Sequence, residues 1–189
     1  MRKHFDAVAL AITAVTVAIA VAFANGEALG IRTTVDADSE AHSDDSYFTD
    51  NDLDGSWDAS GATTIVLEDD DATVTGKGAY AWDGGVTIAS SGTYVVSGTL
   101  SDGSLVVDAN ENSKVWILLD GVSITNDDDA CIVVDEADKV FLTLADGSTN
   151  TLTSGDAYSE DALDDGTDGA VFAHDDLTIN GSGSLVVTA

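Results

Sequence analysis

A block of sequence written twice governs what this chain can fold into. KVWILLDGVSIT opens at Lys114, and KVFLTLADGSTNTLT opens 25 residues later at Lys139. Val115 answers Val140, Trp116 answers Phe141, Ile117 answers Leu142 and Leu119 answers Leu144, while Asp120-Gly121 and Asp146-Gly147 close the two strands one register apart. A period of this size marks stacked units, none of which buries its apolar face alone. A leucine-rich repeat and a coil of a β-helix share that period, and strand content decides between them. Val, Ile, Leu and Thr dominate, Asp-Gly turns follow at short intervals, and no stretch between them has a helical 3.6-residue period. The expectation is an all-β chain of short strands, each pairing with its equivalent in the next coil at about 4.8 Å.

The strand-like region begins at Thr63, with Ile65 to Leu67, a three-aspartate turn at Asp69 to Asp71, and Ala72 to Thr75. A second echo supports a repeat fold over a sandwich: Ile88, Gly92 and Val95 answer Ile179, Gly183 and Val186 in LTINGSGSLVVT. Upstream, Arg2 and Lys3 precede an apolar run from Ala7 to Ala24, and Ala22-Phe23-Ala24 has the small-x-small form of a cleavage site. Residues 1–24 read as an export signal, or as an uncleaved membrane anchor, and either way the rest lies outside the cytoplasm. Residues 25–62 carry Asp, Ser, Ala and Gly with neither period and read as a flexible acidic tether. Within them Asp50, Asn51, Asp52, Asp54 and Gly55 match a calcium loop only in fragment, without the closing glutamate, so a solvated linker is the expectation there.

The chain of 189 residues has 35 acidic and 6 basic residues and a net charge of −29, most of the acid being Asp. Such a surface repels nucleic acid and anionic membranes, and cation binding relieves its self-repulsion. Adaptation to high salt would give the same composition. Cys131 has no partner for an intramolecular disulfide, and in ACIVVD its apolar neighbours suit a buried, unreactive thiol.

GTYVVSGTLSDGSLVVDA, KVWILLDGVSIT, KVFLTLADGSTNTLT and AVFAHDDLTINGSGSLVVT, in that order, resemble the carbohydrate-binding-domain family of secreted microbial β-helix proteins. The resemblance runs from about Thr63 to Ala189. It implies a pectate-lyase-like shape, an association with calcium and binding of plant cell-wall polysaccharide. Two departures stand out. The family often carries a proline near the positions of Asp129 and Asp168, where this chain has none, and its members continue through further coils. Here the sequence stops within SLVVTA, so the expectation is the front portion of a longer protein with an open last coil that promotes edge-to-edge association.

Chemistry is expected in the turn carboxylates. Asp127, Asp128 and Asp129 precede ACIVVD, and Asp164, Asp165 and Asp168 precede AVFAHDD; equivalent turns stack, and calcium takes six to eight such oxygens at about 2.3 to 2.6 Å. Exposed acidic turns without metal are the plain alternative. Trp116 and Phe141 are expected on the outward face, as a two-rung strip on which flat sugar faces stack, unless another segment covers them. His174 reads as a surface residue at a turn. After the leader the basic residues are Arg32, Lys77, Lys114 and Lys139, a poor supply of bases for β-elimination, and the many carboxylates single out no hydrolytic pair.

Together these readings give a secreted or surface-anchored, right-handed parallel β-helix over residues 63–189. It binds polysaccharide, such as polygalacturonate or cellulose, without cleaving it and with calcium as cofactor. No nucleic acid partner is expected, and membrane contact runs only through the N-terminal segment. The rivals are a polysaccharide lyase or hydrolase, which releases product, and a structural surface adhesin, which has a protein partner.

Overall fold

The structure is a computed structural model that describes residues 48–155 and 157–189. The expected signal segment and the first part of the tether lie outside the described residues. In chain order the elements are α1 (Asp50–Leu53), β1 (Thr63–Asp69), β2 (Asp71–Thr75), β3 (Ala79–Trp82), β4 (Gly85–Ile88), β5 (Gly92–Leu100), β6 (Ser104–Asp108), β7 (Lys114–Asn126), β8 (Ile132–Glu136), β9 (Lys139–Leu144), β10 (Thr149–Ser154), α2 (Glu160–Asp165), β11 (Val171–Ala173), β12 (Leu177–Gly181) and β13 (Ser184–Thr188).

The fold is mostly β, and its strands pair in parallel across two sheets. One sheet runs in the order β12-β9-β7-β5-β1-β2, with β10 pairing β7 and β13 pairing β10; the other runs β11-β8-β6-β4-β3. Among the described residues only the hairpins β1–β2 and β3–β4 are antiparallel. The duplicated block sits where its spacing predicts: Lys114 pairs Lys139, Val115 pairs Val140, Trp116 pairs Phe141 and Leu119 pairs Leu144. Alternation along each strand sends one set of side chains into the space between the sheets. Tyr94, Val96, Val115, Ile117, Leu119, Val140 and Leu142 from the first sheet meet Val86, Ile88, Leu105, Val107, Ile132 and Val134 from the second in one continuous buried cluster.

Three expectations are revised. Asp120-Gly121 does not end a strand, because β7 runs on through it to Asn126 and absorbs the pair as a bulge opposite Ser97. The echo between residues 88–95 and 179–186 does not mark equivalent positions. Ile88 belongs to β4 in one sheet and Ile179 to β12 in the other, so that likeness reflects the shared strand-turn-strand pattern of apolar and Gly residues. The end of the expected tether is fixed to the body. Asp52 of α1 is 5% exposed, its backbone carbonyl accepts from Asn180 Nδ2 at 3.2 Å, and Gly55 lies against the backbone of Gly181.

Candidate functional site

On the outward face of the second sheet, strand alternation and register align one apolar row. Val106 of β6 pairs Val133 of β8, which pairs Phe172 of β11. Their neighbours Leu105, Val107, Ile132 and Val134 are buried inside, so the row points away from the core and stays half-buried. The connection between β10 and β11 carries α2 over this row. Ser159 caps its start, accepting a hydrogen bond from the Ala162 N–H at 3.2 Å, and Gly166, at φ 86°, closes its end in the left-handed conformation that glycine adopts most readily.

The result is a groove of about 170 Å³ with Val106, Val133 and Phe172 as its floor and Asp129, Asp135, Asp161, Ala162, Asp165, Thr167 and His174 around them. His174 is held on three sides. Its ring packs edge-on against Phe172 with centroids 4.8 Å apart, its Nδ1 lies 3.4 Å from Asp135 Oδ1, and its Nε2 lies 3.4 Å from the Asp165 carbonyl oxygen. Among the described residues no lysine or arginine lines the groove.

The six carboxylates expected to bind metal separate into different environments. Asp129 and Asp165, one from each cluster, line the same groove; Asp127, Asp128, Asp164 and Asp168 do not. The first cluster also has a backbone role. The Asn126 side chain accepts from the N–H groups of Asp128 at 3.0 Å and Asp129 at 2.7 Å, and Asp129 Oδ1 accepts from the Ala130 N–H at 2.7 Å. Among the described residues no three Asp, Glu, His or Cys side chains form a ready-made metal cage. Asp135, Asp161, Phe172 and His174 complete the groove, and the sequence reading missed their assembly. The available signal was a weaker repeat, Val106-Val107-Asp108 against Val133-Val134-Asp135, in strands of the second sheet.

The aromatic strip lies on the other sheet and is covered at one end. Trp116 and Phe141 stack as register neighbours, with centroids 5.3 Å apart and planes 10° from parallel. Phe141 is only 2% exposed, however, so its face is closed to a sugar; Trp116 remains half-buried. The cover is α1. Asp52 Oδ1 accepts from Thr178, the register neighbour of Phe141, and pairs with Lys139 Nζ at 2.6 Å, while that same ammonium stands 5.5 Å from the Phe141 ring centre.

Charge and burial set the reactivity of the remaining groups. The Lys139 ammonium first, then the Thr178 and Thr49 donors, hold the Asp52 carboxyl far below the usual range. Burial pushes the Cys131 thiol up to about 11 and the Tyr94 phenol above its ordinary value. Cys131 is fully buried with Sγ 3.2 Å from the Thr153 carbonyl, a packed thiol rather than a nucleophile.

Residues 82–189, which contain the whole groove, match the family described as carbohydrate-binding domain-containing protein. The chain belongs to this family. A carbohydrate-binding domain-containing protein of Acetivibrio thermocellus is 41% identical over 105 residues, covering 55% of this chain and 37% of that protein. The solved structure of a polysaccharide lyase-like protein from C. thermocellum, a gadolinium derivative, is similar with a TM-score of 0.64 and 36% identity, covering 68% of this chain and 52% of that one. This chain therefore spans about a third to a half of the length of these two relatives.

Proposed function

We propose that residues 63–189 form a right-handed parallel β-helix that binds acidic polysaccharide outside the cell without cleaving it, with calcium joining protein and glycan in the groove under α2. The observation that carries this reading is the pairing of an apolar floor, Val106, Val133 and Phe172, with four carboxylates and, among the described residues, no lysine or arginine. A sugar ring has apolar C–H faces that pack on such a floor, and a uronate brought to it faces four negative charges unless a cation comes too.

The donor chemistry fits calcium, since Asp129, Asp135, Asp161 and Asp165 offer hard oxygens alone. Without a ready-made cage, the glycan would have to supply part of the oxygen shell, which makes calcium and uronate binding mutually dependent. The local helix chemistry points the same way. The last turn of α2 carries Asp164 and Asp165 with no basic residue, so two carboxylates sit at the negative end of the helix dipole, an arrangement that a nearby cation stabilises.

The test is binding of polygalacturonate with and without calcium, followed by assay for unsaturated or reducing products. Binding that strengthens with calcium, with that gain removed by chelator and by Asp129→Asn with Asp165→Asn, is the expected result. Undiminished binding in chelator by that double variant removes the bridge from the groove, and release of product assigns the chain to the lyases or hydrolases.

A further inference from the structure

A second cleft, on the first sheet, has the opposite chemistry. It measures about 380 Å³, within the usual range of small-ligand sites, and is lined by Gly61, Thr63, Gly76, Lys77, Ser91, Gly92, Thr93 and Tyr94. In a chain with 35 acidic residues, no carboxylate among the described residues lines it. Lys77 is also unlike the other lysines of the described residues. Lys114 lies 2.9 Å from Asp138 and Lys139 lies 2.6 Å from Asp52, whereas Lys77 has no ion-pair partner among the described residues.

The walls are fixed before any ligand arrives. Thr63 Oγ1 donates to the Lys77 carbonyl at 2.7 Å and accepts from the Lys77 N–H at 2.9 Å, so the backbone that carries the ammonium is tied to the start of β1. Tyr94, buried at 1% exposure, clamps the two turns on either side. Its hydroxyl lies 2.7 Å from the Ser90 carbonyl and 3.2 Å from that of Gly78. Gly76, at φ 138°, admits no side chain here, since a Cβ would fall 2.3 Å from Thr63 Oγ1. Lys77, Ser91 and Thr93 thus line one cavity whose walls are held by contacts that need no ligand.

We infer that this cleft is a direct carboxylate subsite, in which Lys77 pairs with the carboxylate of a uronic-acid residue while the Ser91 and Thr93 hydroxyls donate to its oxygens. The choice of uronate rests on the function proposed above, but the chemistry is independent of it. The groove under α2 needs a cation to accept an anionic sugar; the Lys77 cleft needs none. Lys77 lies outside residues 82–189, whereas Ser91 and Thr93 lie within the family match.

The test uses the full chain and an α-1,4-linked galacturonate trimer, with a neutral galactose trimer as control, by calorimetry and amide chemical shifts. In chelator the galacturonate trimer is expected to bind and to move the amides of Gly76 and of Ser91 to Thr93; the neutral trimer is not. Lys77→Gln should weaken that binding about tenfold or more, the scale of a lost charge-assisted contact, while Lys77→Arg retains it and Lys114→Gln leaves it unchanged. Because Lys77 is exposed, its replacement leaves the core intact. Equal affinity of Lys77→Gln and the unmodified chain in chelator overturns the inference, as does no binding in chelator at all. The calcium arm, scored with Asp129→Asn and Asp165→Asn, reads the groove separately, so either site can fail while the other stands.

Discussion

Lys139 Nζ stands 2.6 Å from Asp52 Oδ1, and the same carboxylate accepts from the Thr49 N–H at 2.8 Å and the Thr178 hydroxyl at 2.5 Å. These donors lower the folded pKa of Asp52 below the roughly 3.9 of an unfolded aspartate. A carboxyl shifted in this direction contributes stability that is present in full above pH 4 and lost as pH falls through the folded pKa. What is lost is local, because the docked part of the segment is one short helical turn. Asp52→Asn is therefore expected to cost about 2 kcal/mol in opening of residues 48–57, the scale of hydrogen bonds to a charged group, with a small effect on global unfolding. Lys139 keeps 19% side-chain exposure, which limits the penalty for leaving its charge unpaired. Amide exchange across residues 48–57, and the Thr178 and Asn180 resonances followed from pH 7 to pH 2, report it. An unchanged opening free energy in the variant would show that the Gly55 contact with Gly181 alone holds the segment.

At the scale of elements, β7 and β10 show how an irregular strand is kept in a regular stack. Just past the bulge at Asp120-Gly121 the Val122 N–H donates to Asn150 Oδ1 of β10 at 3.0 Å. The Asn150 Nδ2 donates to Ser148 Oγ at 2.9 Å and to the Ser184 carbonyl at 3.2 Å, so one fully buried amide ties β7 to β10 and β13. Asn150→Ala leaves the Val122 N–H buried without an acceptor and is expected to lower unfolding stability by about 2 kcal/mol. A shift of the denaturant midpoint with unchanged slope checks it; no shift would mean that water replaces the amide. These features also mark what the sequence could convey. The register of β7 on β9 was legible because Val115, Ile117 and Leu119 recur as Val140, Leu142 and Leu144, and burial of one strand face demands that alternation. The bulge was not legible, since Asp-Gly serves equally as a turn and as a bulge. Phe141 stands outside the core cluster yet is buried, beside a short docked segment that has no period of its own. The groove was half legible: turn carboxylates are visible in sequence, yet which of them converge depends on α2, whose placement is a matter of packing.

Over the whole molecule a net charge of −29 sets two opposing responses to salt. Any added electrolyte screens the mutual repulsion of the carboxylates, over a distance that shrinks to about 8 Å at physiological ionic strength, and this stabilises the compact state without a site. A calcium ion held in the folded state alone acts differently, adding stability by mass action, about 2.7 kcal/mol at a free concentration one hundred times its Kd. The two separate at matched ionic strength. Calcium is expected to raise Tm by several degrees more than sodium does, and galacturonate oligomers to enlarge the excess if they complete the calcium shell. Asp129→Asn with Asp165→Asn should abolish the excess and keep the sodium response, because both side chains lie at the surface of the groove and outside the core cluster. Equal stabilisation by sodium and calcium at matched ionic strength would sink the calcium site and leave the acidity as general screening chemistry. An excess that survives the double variant would move the ion elsewhere, to carboxylates such as Asp127, Asp128, Asp164 and Asp168 that do not line the groove.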